Sequence, residues 1–213
     1  KGLKYEKKSN KILTISQQLE KKYKELNISI LKGPCLAKEL ARKKKTSVIV
    51  ANKNLIKAKF IGKIISTKYY LVEYSKDILG VEVLSAIKNI YAMIIGAGQS
   101  LNESSNLFQK SIVEMKYLTK YFKGKEETTL GLAGVGDLYV SAAGGRNSKM
   151  GSYLGKGYRF KLAKKKFMPK DTVEGEQLAR EIAPFILKKV KKKKIPLMIN
   201  LIKTIVRNKK LKI

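Results

Sequence analysis

Near residue 77 the hydrophobic period of the sequence changes, and this limits the available folds more than anything in its composition. Before that point short apolar runs alternate with amphipathic stretches. The pattern predicts helices over 12–26, 36–42 and 54–65, and strands at 28–31, 47–51 and 69–74. The turn Lys32-Gly33-Pro34 opens the second helix, where the fixed φ of proline and its missing N–H suit a first helical turn. Strand alternating with helix is α/β organisation. After Asp77 the strand signal stops. Val83, Ile87, Ile90 and Ile94 fall on one helical face, and further helices are predicted at 103–122, 174–190 and 196–207, the last restarting at Pro196. The expected architecture is α/β followed by all-α, with domains over residues 1–76 and 77–213 and no internal repeat.

What the chain lacks narrows its chemistry. It has no histidine and one cysteine, Cys35. Ser-His-Asp and Cys-His catalysis are excluded, together with an internal disulfide and Cys- or His-ligated metal sites, so no metal is expected. Acid–base work falls to Lys, Asp, Glu, Tyr or Cys. The best apolar run, 83–98, is interrupted by Lys88, so no membrane span is expected. No signal peptide is read at the amino terminus, and a soluble cytoplasmic protein is the expectation. Lys and Arg number 47 against 16 acidic residues, a net charge of +31. That charge attracts polyanions. The lysines are scattered, however, with short runs only at 43–45, 164–166 and 188–194, a pattern that fits adenine- and thymine-rich coding better than a specific nucleic-acid surface.

Three groups of residues could carry chemistry. Lys88 shares a helical stripe with Leu84, Tyr91 and Ile95. It reads either as a lysine whose stem packs while its head reaches water, or as a partly desolvated acid–base group. The stretch 131–147 holds five glycines, too many for a stable helix interior at about 1 kcal/mol each, and ends in Gly144-Gly145-Arg146-Asn147. An arginine fork beside an amide and backbone N–H groups can cradle a phosphate, with Asp137 placed to hold a lysine or hydroxyl. A solvated interhelical loop is the alternative. Gly33-Pro34-Cys35-Leu36-Ala37 is a strand-to-helix turn, a place where ligands bind in open α/β sheets but also an ordinary helix start.

In order along the chain stand Lys1-Gly2, Gly33-Pro34-Cys35-Leu36-Ala37-Lys38-Glu39, Gly80-Val81-Glu82 with Ala86-Ile87-Lys88-Asn89, Glu114-Met115, the glycine-rich run 131–138, Gly145-Arg146-Asn147, Val173-Glu174-Gly175 and Pro196-Leu197. This collinear set resembles the NAD(P)-dependent glycerol-3-phosphate dehydrogenases over almost the whole chain. The resemblance implies hydride transfer between NAD or NADP and the dihydroxyacetone phosphate / sn-glycerol 3-phosphate pair, in supply of glycerol phosphate for phospholipids. It implies Lys88 as the catalytic proton donor and acceptor, Lys1 as a residue polarising the substrate, and Asp137 as the acidic member of the network. Gly145, Arg146 and Asn147 would hold the substrate phosphate, while Gly33 and Cys35 would touch substrate. Ala37, Arg146, Thr172 and Glu174 fall where the family contacts its dinucleotide.

The departures are as informative. No GxGxxG turn occurs, so the pyrophosphate cradle is absent from this sequence, which matches the family from about 110 residues into its pattern. The fold expected is therefore the carboxy-terminal part of a Rossmann-type domain joined to a helical substrate domain, with strand 28–31 left with unpaired edges. Cys35 stands where serine is usual and Lys32 where a small residue is usual. Lys43 and Lys45 replace glycine and proline, and Ser105 and Asn106 replace a small apolar pair. The leading expectation is a dehydrogenase inactive without a dinucleotide domain, which a separate polypeptide could supply. The alternatives are a non-catalytic remnant acting as a basic polyanion-binding protein and a silent scaffold that forms a homodimer through its helices.

Overall fold

The computed structural model describes residues 2–213, so Lys1 and the role expected for it lie outside the described residues. The chain opens with an antiparallel hairpin, β1 (Leu3–Glu6) and β2 (Lys11–Thr14), whose turn places Asn10 in the left-handed region at φ 49°. Helix α1 (Ile15–Lys22) follows at once. The expected helix over 12–26 is therefore corrected: its first residues are strand. Thr14 ends β2 and caps α1, its hydroxyl accepting from the Gln17 N–H while the Gln17 side chain accepts from the Thr14 N–H.

A three-stranded sheet comes next, in the order β3 (Ile30–Lys32), β4 (Thr46–Ala51), β5 (Tyr70–Ser75). β3 pairs antiparallel with β4, and β4 pairs parallel with β5. The strand expected at 28–31 starts two residues later and ends one later, and it is paired along one edge. Helix α2 (Ala37–Ala41) is a single short turn-and-a-half after β3, and α3 (Leu55–Ile65) makes the parallel crossover between β4 and β5, capped by Asn54.

Everything else is built around α4 (Ile78–Gly96). α5 (Leu101–Tyr121), α6 (Asp137–Ala142), α7 (Arg146–Gly155), α9 (Glu174–Lys189) and α10 (Pro196–Arg207) pack on it, and α8 (Phe160–Phe167) packs on α7. α4 is long and apolar enough to cross a membrane by composition alone, yet most of it is buried by its neighbours, as a helix apolar all round must be in a globular core. The side chains of Leu84, Ile87, Ile90, Met93 and Ile94 are all inaccessible there. Leu3 and Ile12 of the hairpin join this helical core rather than the three-stranded sheet.

Two buried carboxylates fix the packing at the start of α4. Asp77 caps α4, accepting from the Gly80 N–H at 2.9 Å, and its second oxygen accepts from the Lys125 N–H at 2.8 Å and the Thr128 hydroxyl at 2.6 Å. The segment after α5 is thereby tied to the start of α4. Glu82, one turn on, accepts from the Ser16 N–H at 3.0 Å and from the Ser16 hydroxyl, anchoring α1.

The glycine-rich run departs from expectation. Five glycines argue against a helix interior, yet a π-helical turn, Leu132–Gly136, leads straight into α6. The glycines serve close approach. A Cβ on Gly134 would lie 2.0 Å from the Thr129 carbonyl oxygen, so only glycine lets this turn seat on the 3₁₀ turn Glu126–Leu130. The propensity cost is offset by burying Ala133 and Leu138 completely.

Candidate active site

The catalytic candidates meet on a cleft between the sheet and the helices. Lys88 leaves α4 toward the first residue of α6, Asp137, and its ammonium group donates a charge-assisted hydrogen bond to the Asp137 carboxylate. Both are largely shielded, the side chains being 18% and 7% exposed. Burial holds the Asp137 pKa above its ordinary value, and the opposing pull of Lys88, and then of Lys32, offsets only part of that rise. A carboxylate held in this way fixes its lysine in one place without giving the pair up to solvent.

Two adjoining cavities share Gly33, Cys35, Lys88 and Asp137 in their walls. The larger, about 980 Å³, runs from this pair to the turn before α7, where Gly144, Gly145, Arg146 and Asn147 form the far wall. The smaller, about 310 Å³, is lined also by Lys32, Tyr70 and Ser85. Gly33 makes the approach of the Gly33-Pro34-Cys35 turn possible: it adopts φ 132°, and a Cβ there would sit 3.0 Å from the Val48 Cα. The turn thus lies over β4 with the exposed Cys35 thiol beside the lysine's cavity.

The wall at α7 is a helix start. Gly145 precedes the first turn with extended geometry and no side-chain cap, leaving the first N–H groups of α7 open on the cavity side. Arg146 is paired with Glu174 at the start of α9. The Asn147 side chain is used internally, its Nδ2 donating to Asn89 Oδ1 at 3.0 Å and its Oδ1 accepting from the Gly175 N–H at 2.8 Å. It ties α4, α7 and α9 together, so what it offers an anion is chiefly its backbone N–H. The sequence assigns Asn147 to the phosphate cradle as an amide, and in the structure that amide is engaged by Asn89 and Gly175.

Of the positions singled out in the sequence, Gly33, Cys35, Lys88, Asp137, Gly145, Arg146, Asn147 and Glu174 are brought to these two cavities. Ala37 and Thr172 are exposed and line neither. Ser85, Tyr70 and Asn89 were not anticipated. Ser85 lies one turn before Lys88 on α4, and its buried hydroxyl has no partner among the described residues. That i, i+3 spacing was the available signal. Tyr70 carried none, since only the parallel pairing of β5 with β4 brings it there.

Residues 77–213, well over half of the chain, match the family described as NAD-dependent glycerol-3-phosphate dehydrogenase C-terminus. The chain belongs to that family. The NADP(+)-dependent glycerol-3-phosphate dehydrogenase of Archaeoglobus fulgidus is 32% identical over 160 residues, covering 70% of this chain and 48% of that protein. A glycerol-3-phosphate dehydrogenase [NAD(P)+] of Phytoplasma australiense is 39% identical over 138 residues, or 62% of this chain and 42% of its own. The chain thus spans about half the length of the curated relatives it matches. Among solved structures, glycerol-3-phosphate dehydrogenase from Coxiella burnetii superposes with a TM-score of 0.81 at 26% identity, over 90% of this chain and 60% of that one. These neighbours bear out the expected architecture, an α/β part followed by the helical dehydrogenase domain.

Proposed function

We propose that this chain carries the substrate and proton-transfer half of an NAD(P)-dependent oxidoreductase interconverting dihydroxyacetone phosphate and sn-glycerol 3-phosphate. Residues 1–76 would belong to its dinucleotide domain and 77–213 to its substrate domain. The observation that carries the reading is the Lys88–Asp137 pair on the wall shared by two cavities, with an open helix N-terminus and an arginine closing the larger one.

The substrate phosphate is held at the start of α7, by its open N–H groups and the Arg146 guanidinium. Its carbonyl end points back toward Lys88. During reduction the Lys88 ammonium donates a proton to the carbonyl oxygen, and in the reverse direction the amine removes it from the alcohol. Asp137 keeps the lysine head in the cleft and balances its charge. The nicotinamide supplies or accepts the hydride when bound. The cavity fits that half of the cofactor, since Leu36, Tyr139 and Val140 give it apolar surface beside Lys88, with Arg146 and Glu174 at the edge. No GxGxxG turn lies among these 213 residues, and a dinucleotide domain, on the same polypeptide or a separate one, completes the grip.

The test is oxidation of NADH and NADPH by dihydroxyacetone phosphate. The 213 residues alone are expected to show no turnover, and turnover is expected to appear when a dinucleotide-binding domain is supplied. A well-folded assembly that stays silent with both cofactors overturns the assignment.

Arg146→Gln gives a narrower check. Loss of one charge-assisted contact to phosphate, worth about 1.5–3 kcal/mol, should raise KM for dihydroxyacetone phosphate by about 10- to 100-fold. The melting temperature should stay almost unchanged, because the Arg146 side chain is 52% exposed and such pairs contribute at most about 1 kcal/mol. An unaltered KM would remove Arg146 from the phosphate site.

A further inference from the structure

Away from the cleft, at the carboxyl end of α10, lies a cavity of about 500 Å³ that shares no residue with the catalytic pair's two cavities. Six basic side chains line it: Arg159, Lys203, Arg207, Lys209, Lys210 and Lys212. No acidic side chain does, and none of the six is in an ion pair with any described residue.

The convergence is built by the fold. Lys203 and Arg207, with Asn200 and the buried Thr204, stand at i, i+3, i+4, i+7 spacing on one face of α10. Asn208 then turns the chain with φ 49° and ψ 45°, and the Lys209 N–H donates to the Thr204 carbonyl at 3.1 Å. Asn208 Oδ1 in turn accepts from the Lys161 N–H at 3.0 Å, tying this bend to the start of α8 just after Arg159. The last lysines are thereby folded back toward the cations of α10 instead of continuing away from them. Like charges brought within a Debye length of about 8 Å repel one another, and an uncompensated cluster of six costs stability until an anion enters it.

We infer that this cavity is a binding site for a compact oligophosphate, a small molecule carrying at least three negative charges. Its volume lies in the range of small-ligand pockets. Its lining contains only basic side chains, one amide and one hydroxyl. No aromatic side chain is present for stacking a base, as single-stranded nucleic acid sites require. No apolar side chain lines it for insertion among acyl chains. Phosphate oxygens are what such a lining can satisfy, through charge-assisted hydrogen bonds. The inference is independent of the chemistry proposed for the cleft.

The experiment is calorimetric titration of the full chain with inorganic tripolyphosphate at 150 mM salt, with ATP, adenosine, orthophosphate, a single-stranded 20-mer and anionic vesicles as further arms. Expected are one site per chain and a micromolar Kd for tripolyphosphate, similar affinity for ATP, none for adenosine, and at least tenfold weaker binding of orthophosphate. Lys203→Gln/Arg207→Gln/Lys210→Gln should weaken tripolyphosphate at least tenfold. Lys192→Gln/Lys193→Gln/Lys194→Gln removes the same charge from an exposed run elsewhere and should change it less than twofold. Equal losses in the two triple variants would mean a response to net charge alone and overturn the site. So would absent binding, an affinity for ATP far above that for tripolyphosphate, or tighter binding of the oligonucleotide or vesicles that depends on the same three residues.

Discussion

Lys88→Ala is expected to lower kcat for carbonyl reduction by about 10²- to 10⁴-fold, the usual range for removing a positioned general acid. The chain has no histidine, so the proton must come from another side chain, and Lys88 is the one that the buried Asp137 fixes at the junction of the two cavities. Among the described residues, the other ammonium acting on Asp137 is that of Lys32, which also lines the smaller cavity. Lys32→Ala is the control, with a much smaller loss expected. Lys88→Arg separates charge from proton transfer. A guanidinium can keep the ion pair with Asp137, but it does not release a proton at any ordinary pH. It should therefore preserve the melting temperature and still lose most of the rate. The readout is NADH oxidation with the dinucleotide domain supplied. If Lys88→Arg keeps more than a tenth of the activity, the lysine acts by charge alone and the proton comes from elsewhere.

The parts of this fold that were legible from sequence are those whose burial is periodic. α5, α9 and α10 were placed within about two residues, because an apolar face repeating every 3.6 residues has one helical solution, and Pro196 marks the first turn of α10. The hairpin of β1 and β2 was missed. Its strands have four residues each, and Ile12 and Leu13 also fit the helical pattern that follows. The signal for the helix start is Thr14-Ile15-Ser16-Gln17, a capping box, but the apolar residues before it outweigh it. Backbone entropy alone argues against a helix interior in the glycine-rich run and leaves a phosphate cradle and a solvated loop both open. The contact that requires those glycines, Gly134 against Thr129, exists only once the 3₁₀ turn is in place. The site follows the same division. Lys88, Asp137, Gly145, Arg146 and Asn147 stand in recognisable local patterns. Ser85 and Tyr70 reach the cavity through helix phase and strand pairing. The sequence reading assigns neither α7 nor α8, since the first residues of α7 are absorbed into a motif and the last turn of α8 into a charge run.

Glu114→Ala should be the most destabilising single change outside the cleft. Glu114 is 4% exposed on α5 and accepts three hydrogen bonds: from the Tyr91 hydroxyl at 3.0 Å, from the Leu197 N–H at 2.6 Å and from the Met198 N–H at 3.1 Å. The two N–H groups belong to the first turn of α10, so this carboxylate is the cap that α10 otherwise lacks, and it joins α10 to α4 and α5. Alanine leaves three donors without an acceptor in the core. The cost should be about 3–5 kcal/mol, which for a chain of this length lowers the melting temperature by roughly 6–20 °C. Glu114→Gln retains an acceptor and removes the buried charge, so pH separates the two substitutions. Burial raises the Glu114 pKa, against the pull of the Leu197 and Met198 N–H groups and the Tyr91 hydroxyl. A folded-state pKa above the unfolded value stabilises the protein below the unfolded pKa, and that stability is lost as pH rises through the folded one. Wild type should therefore gain on Glu114→Gln as pH is lowered from 8 to 5, in melting experiments on the folded chain. The opposite slope would mean that the three hydrogen bonds outweigh burial, and that α10 is held by a carboxylate the fold prefers charged.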